Sequence, residues 1–328
     1  MANWLNLAFQ FLDSFAFIVL AAAGLAIIFG IMGVINLAHG EFILVGAYAT
    51  TLAVKAVGLP LPAAMLAGAV VTAGFGLVVE RTIISGAGPN WVWERLEPRL
   101  SAALPDQAAA VLPSGPLIEP LYDRLADSMV ATFGLSLIMV QGARIVFGNS
   151  IDQVATPFGE VAYGAFSYSA YRLVLAGVSV ALLGLVYYVF TYTDYGMRAR
   201  AVIQDDRTAR ALGVNTERTY AATFALGSGL AGLTGALFAP VISMQPTLGS
   251  QFLVEAFVAV VVGGASVVLG TALSAAGLGA IESVFSNQYG TFFGRIALLL
   301  TAILALRFLP GGITGYIERV RKRRRRES

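Results

Sequence analysis

The chain has 328 residues, of which 57% are hydrophobic and 12% charged, with 21 Lys and Arg against 19 Asp and Glu. That balance excludes an ordinary soluble domain and predicts an all-α fold, a polytopic α-helical membrane protein. Cysteine is absent and histidine occurs once, so disulfides, thiol chemistry and a multi-histidine metal cluster are excluded.

A helical span needs about 20 apolar residues. Runs near 14–33, 36–57, 61–82, 128–147, 170–191, 219–239, 252–267, 268–285 and 293–309 predict eight or nine transmembrane helices in one transmembrane domain covering 1–328. The runs are too long and continuous for barrel strands. The first Lys or Arg is Lys55, and no cleavage signal precedes the first run, so an uncleaved N-terminal anchor is expected.

Near the start of the second run, Asn36, His39 and Glu41 place three polar groups in an apolar setting, beside breaks at Gly30, Gly33 and Gly40. Ionisable groups inside a membrane are costly and face a bundle interior or a watery path. Two readings follow: a helix break beside a translocation path, or a tight turn whose polar groups cap helix ends. After Arg81 the chain turns aqueous until about Asp127, and within it Trp91, Trp93 and Leu96 fit one side of a short interfacial helix or a loose loop. Residues 148–169 form the largest expected external loop.

The stretch 195–215, YGMRARAVIQDDRTARALGVN, is a polar island carrying Arg198, Arg200, Arg207 and Arg210. Two short helices fit it. The first runs from about Gly196 to Gln204. Asp205 or Asp206 can cap the second, which ends at Gly213, because Asp accepts free N–H groups of a first turn and Gly tolerates the left-handed position after the helix. Asp206 and Arg210 are spaced for an i,i+4 ion pair. Ala209, Leu212 and Val214 form a small apolar ridge for docking outside the membrane, although such a loop can also serve only to set topology.

The wording of this loop resembles the cytoplasmic coupling loop of permease subunits in bacterial ABC importers for branched-chain amino acids, urea and short amides. Gly196, Arg200, Ala201, Val202, Gln204, Arg210, Leu212, Gly213, Val214 and Asn215 carry the likeness, while Met197 stands where the family often has Arg. GLAIIFGIMGVINLAHGEFILVGAY at 24–48 and ATFGLSLIMVQGARIVFG at 131–148 resemble two further signatures. The resemblance implies a permease of the bacterial inner membrane. It would pair with a second permease subunit, two ATP-binding subunits and a periplasmic solute-binding protein. Arg200, Asp206, Arg207, Ala209, Arg210, Leu212 and Gly213 would couple it to the ATPases. It also marks 84–127 as a cytoplasmic insertion, because relatives join these spans by a shorter link.

Gly227, Gly229 and Gly232 spell a dinucleotide-like G-x-G-x-x-G, but no strand precedes them, and small residues spaced four apart read instead as close helix packing. A second Gly-broken segment follows at 246–273 with Glu255, Gly263, Gly264 and Gly270. Paired breaks in two halves point to a central site, so Asn36, His39, Glu41, Glu255, Gly263 and Gly264 are the expected path residues. The phrasing around Glu255 leans towards the urea and amide branch.

The basic tail 318–328 is expected in the cytoplasm with the Arg-rich loop, as a topology anchor beside anionic lipid rather than a nucleic-acid site. Neither lysine, Lys55 or Lys322, follows a glycine, so the phosphate-binding Gly-Lys-Ser/Thr loop is missing and no cofactor is expected. An intramembrane serine protease built on His39 with Ser136 or Ser228 lacks a G-x-S-x-G surround. The alternative to an ABC permease is a self-sufficient secondary transporter or channel, with Glu41, Glu255 and Glu282 as coupling charges.

Overall fold

A computed structural model describes residues 2–103, 113, 115–122, 124–151, 153–163, 166–264 and 266–327, with the side chains of those between 4 and 321 except 103, 163 and 166. The middle of the expected insertion and the side chains of the basic tail beyond 321 lie outside the described residues.

The order is α1 (Ala2–Met32), α2 (His39–Lys55), α3 (Leu61–Val79), α4 (Ala87–Ala103), α5 (Leu125–Phe147), a hairpin of β1 (Glu160–Tyr163) and β2 (Phe166–Ser169), α6 (Ala170–Tyr192), α7 (Asp194–Gln204), α8 (Asp206–Ala211), α9 (Thr216–Phe238), α10 (Leu248–Gly263), α11 (Val267–Tyr289), α12 (Thr291–Phe308) and α13 (Gly312–Glu327). Among the described residues, seven helical segments are long and apolar enough to cross a membrane. Two short helices, α2 with 17 residues and α10 with 16, complete the bundle. The sequence places the first span at 14–33, but α1 begins at Ala2, because its first turns are apolar enough to continue the helix. The expected span 36–57 is an irregular segment followed by α2, and 252–267 is displaced to α10.

The two strands lie within the expected loop 148–169, pairing antiparallel from Glu160 with Ser169 to Tyr163 with Phe166. Tyr168 stacks on Phe9 at 4.7 Å and its hydroxyl donates to the Phe9 carbonyl at 3.1 Å, which fixes the hairpin on α1.

The core sits where α1, α2, α3 and α9 cross. There the dinucleotide-like glycines pack backbones together. A Cβ at Gly227 would strike Ile28 and the Gly24 carbonyl, and one at Gly232 would strike Thr72. Small residues permit this approach, and between helices in lipid such close packing replaces the missing hydrophobic drive.

Beyond α3 a π-helical turn, Glu80–Ile84, leads into the insertion. Asn90 ties its two ends together: Nδ2 donates to the Ile118 carbonyl at 2.8 Å, and Oδ1 accepts from the Ile118 amide at 3.0 Å. Trp91 and Leu96 are exposed on α4, while Trp93 turns aside and donates to the Pro113 carbonyl at 3.3 Å. The three therefore do not share one face. Tyr122 reaches back to donate to buried Glu80 and packs its ring 4.3 Å from that of Tyr220.

Candidate functional site

The irregular segment 33–38 carries backbone groups that α-helix bonding leaves free, and such groups must find partners inside the protein. Helix α5 supplies them. Ser128 Oγ accepts from the Ile35 amide at 3.3 Å, Thr132 Oγ1 accepts from the Leu37 amide at 3.0 Å, and the same hydroxyl lies 3.1 Å from the Ile35 carbonyl. Asn36 closes the turn: its Oδ1 accepts from the Ala38 amide at 3.0 Å. The bond closes a tight turn ahead of the helix, while the N-terminus of α2 itself has no side-chain cap among the described residues.

His39 then opens α2 deep in the bundle. Its Nε2 donates to the Ala21 carbonyl at 2.9 Å, well inside α1, and its ring is fully buried. Glu41 is also buried and is hydrogen-bonded to Ser136. Asn36 Nδ2, His39 Nδ1 and Glu41 Oε2 have no hydrogen-bond partner among the described residues. In the next turn of contacts, Gly40 meets Gly249, and a Cβ on either would fall on the other's carbonyl. Both glycines are the second residue of their short helix, so the N-termini of α2 and α10 abut.

The remaining expected path residues lie elsewhere. Glu255 on α10 is buried and pairs with Arg295 of α12 at 2.6 Å. Gly263 and Gly264 end α10 against the start of α13. Thr314 Oγ1 donates to the Gly263 carbonyl at 2.8 Å, and Gly264 and Gly312 both take positive φ so that their backbones can touch. The structure therefore brings Asn36, His39 and Glu41 together and separates them from Glu255 and from the glycine pair. The sequence pattern did not single out Asp13, Arg172 or Arg295, which gather near Glu255. Their signal was present as charges set into the ends of apolar runs.

The loop 195–215 folds as two short helices with a cap at each corner. Thr193 Oγ1 accepts from the Gly196 amide at 3.2 Å, and Gly196 allows the chain to turn against the Val189 and Phe190 carbonyls, where a Cβ would clash. Asp205 caps α8, accepting from the Arg207 and Thr208 amides at 3.0 and 3.2 Å and from the Thr208 hydroxyl at 2.7 Å. These bonds hold its carboxyl below the usual Asp range, so the cap is complete above that range and is lost as pH falls through the lowered value. Gly213, with φ of 88°, closes α8: its amide donates to Arg210 and the Val214 amide to Ala209. Asn215 caps α9, accepting from the Arg218 amide at 2.9 Å. Asp206 and Arg210 pair at 2.9 Å as their spacing predicts.

The apolar ridge differs from the expectation. Ala209 is buried within the chain and Val214 is half-buried, whereas Leu212 is 80% exposed. Helix spacing puts Ala209 on the inner side of α8, while Leu212 lies just past its last turn. Met197 and Ile203 on α7 are exposed as well. Arg198, Arg200, Arg207 and Arg210 are exposed around them. The outward surface thus combines Met197, Ile203 and Leu212 with a basic surround.

This loop and the tail share one end of the bundle. A polar cavity there is lined by Gly30 in the last turn of α1, by Gly33 just after it, and by Gln204, Asp205 and Asp206 of the loop. Gly30 also faces Val267, next to the α10–α13 contact.

A family profile described as "Branched-chain amino acid transport system / permease component" matches residues 7–309. Among relatives, the high-affinity branched-chain amino acid transport system permease protein LivH of Salmonella typhimurium is 27% identical over 304 residues, covering 90% of each chain. BraD of Pseudomonas aeruginosa, a permease protein of the same description, is 26% identical over 90% of this chain and 91% of its own. The probable LivH of Methanocaldococcus jannaschii is 24% identical over 91% and 88%. No solved structure matches the chain. With nearly its whole length matched and its helices arranged for membrane crossing, the chain belongs to the family of branched-chain amino acid transport permease components.

Proposed function

We propose that the chain is the membrane subunit of an ATP-binding-cassette importer. It passes a hydrophobic amino acid, delivered by a periplasmic binding protein, across the inner membrane. A second permease subunit completes the path, and two ATP-binding subunits supply the energy from the cytoplasmic side. The observation that carries this reading is the capped pair α7–α8. Three exposed apolar side chains and four arginines lie on a rigid corner between two long helices, α6 and α9. Movement forced on that corner is transmitted to both helices. With the positive side taken as cytoplasmic, loop and tail both face the ATPases.

Urea and short amides are the competing substrates, favoured by the phrasing around Glu255. The test is ATP hydrolysis by the assembled importer, stimulated by its binding protein loaded with leucine or with urea. Stimulation by the leucine-loaded protein supports the proposal. Stimulation by urea alone moves the chain to the amide branch, and failure of any ATPase to co-purify removes the ABC assignment.

A further inference from the structure

A cavity of about 310 Å³ opens at the end of the bundle opposite α7 and α8. Its position follows from its walls: Arg172 stands at the start of α6 and Phe238 at the end of α9, and the other ends of these helices join the coupling corner. Charged residues form one side. Asp13 pairs with Arg172, and Glu255 pairs with Arg295. A third acid, Glu282, is held by Ser14 and has no ion pair among the described residues. Three carboxylates therefore face two guanidinium groups, leaving one acid in excess. Glu255 sharpens the asymmetry, because its side chain is 6% exposed and its Oε2 is buried without a hydrogen-bond partner among the described residues.

The opposite side is apolar. Phe17 stacks on Phe252 at 4.7 Å and meets Phe238 edge-on at 5.4 Å, and Val241 and Ile242 extend the same wall. Arg172 and Arg295 are 38% and 50% exposed, so each retains N–H donors for a further partner.

We infer that this cavity is an outward-facing binding site for the zwitterionic head of an α-amino acid with a compact apolar side chain. The Glu282 carboxylate receives the ammonium group, with the Glu255–Arg295 pair beside it. The outer guanidinium N–H groups receive the carboxylate, as charge-assisted bonds of planar donors to carboxylate oxygens. The side chain lies on the Phe17–Phe238 wall. A neutral amide such as urea has no ammonium group for the acids and no carboxylate for the guanidinium groups, so neither set of side chains would gain a charged partner. This assignment rests on the amino acid reading above and adds the residues that would recognise the substrate within this chain.

The chain contains no cysteine, so Gln251→Cys at the cavity wall gives this subunit a single reporter, read on its own band in the assembled importer. The rate of maleimide labelling is measured against leucine, 4-methylpentanoate, 3-methylbutylamine and urea. Leucine is expected to slow labelling. The two analogues, each lacking one charge, should need at least tenfold higher concentration, and urea should not protect. In the same background, Glu282→Gln should raise the protecting leucine concentration at least tenfold and Glu282→Asp should restore most of it, with co-purification of the ATPases reporting assembly. The analogue series stands even if a charge variant does not assemble. Unchanged labelling at leucine concentrations that saturate uptake, or equal protection by 3-methylbutylamine, overturns the site while leaving ATP-driven leucine uptake intact. Loss of leucine uptake by the unmodified importer instead overturns the functional reading itself.

Discussion

Gly40 and Gly249 touch backbone to backbone, and each is the second residue of a short helix entered from an irregular segment. From this junction α2 leads away from the α7–α8 end, whereas α10 leads towards it. Each short helix is preceded and followed by long ones, α1 and α3 in one half and α9 and α11 in the other. A second contact, between Gly24 of α1 and Gly227 of α9, is likewise reciprocal. The two halves thus repeat one long–short–long motif in opposite orientation, an arrangement that places paired helix breaks at the centre of a transporter.

The junction has no room for a side chain. Gly40→Ala and Gly249→Ala should each destabilise the chain by at least about 1–3 kcal/mol, the usual cost of overpacking, since backbone rather than a flexible side chain must yield. Thermal unfolding in detergent checks this, with Gly74→Ala as control because a Cβ there meets nothing within 4 Å among the described residues.

Thr132 serves two backbone groups of the irregular segment with one hydroxyl. Thr132→Val keeps the shape and leaves the Leu37 amide and Ile35 carbonyl without that partner, at a cost of about 1–3 kcal/mol for a buried group left unpaired. Thr132→Ser should retain most of the stability. Equal unfolding temperatures for the Val and Ser variants would show that the segment is held by other means.

At the coupling corner the account ranks apolar contact above charge. Burying a Leu contributes about 1.5–3 kcal/mol, and an exposed ion pair contributes little. Leu212→Asp should release the ATPase subunits and abolish substrate-stimulated hydrolysis, while Arg207→Ala should weaken either only slightly. Co-purification decides the ranking, and full retention of the ATPases by Leu212→Asp would reduce the corner to a topogenic loop.

The loop and the tail should face one side of the membrane. Single cysteines at Thr208 and Glu318, both exposed, should react with an impermeant thiol reagent only from the cytoplasmic side. Reaction of the two from opposite sides would break the topology.

Much of this arrangement was legible in the sequence because it depends on local rules. Caps and a left-handed glycine set α7 and α8, so Asp205, Gly213 and the Asp206–Arg210 pair could be read from spacing alone. The apolar runs likewise gave the long helices to within a few turns. What could not be read depends on contacts distant in sequence. Ala209 is buried because α8 docks on the chain itself, which its spacing from Leu212 does not reveal. The cluster of Asp13, Arg172, Glu282 and Arg295 needs four helices to meet. Gly263 and Gly264 read in sequence as a break, and only the fold shows what they touch: Gly263 abuts Gly270 of α11, and Gly264 abuts Gly311 and Gly312 where α13 begins.

The most direct measurement is uptake of labelled leucine into proteoliposomes carrying this permease with its second permease, ATPases and binding protein. The account predicts accumulation that requires both enclosed ATP and the binding protein, with urea left outside. Leucine uptake by the permease alone, driven by an ion gradient and indifferent to ATP, would contradict it.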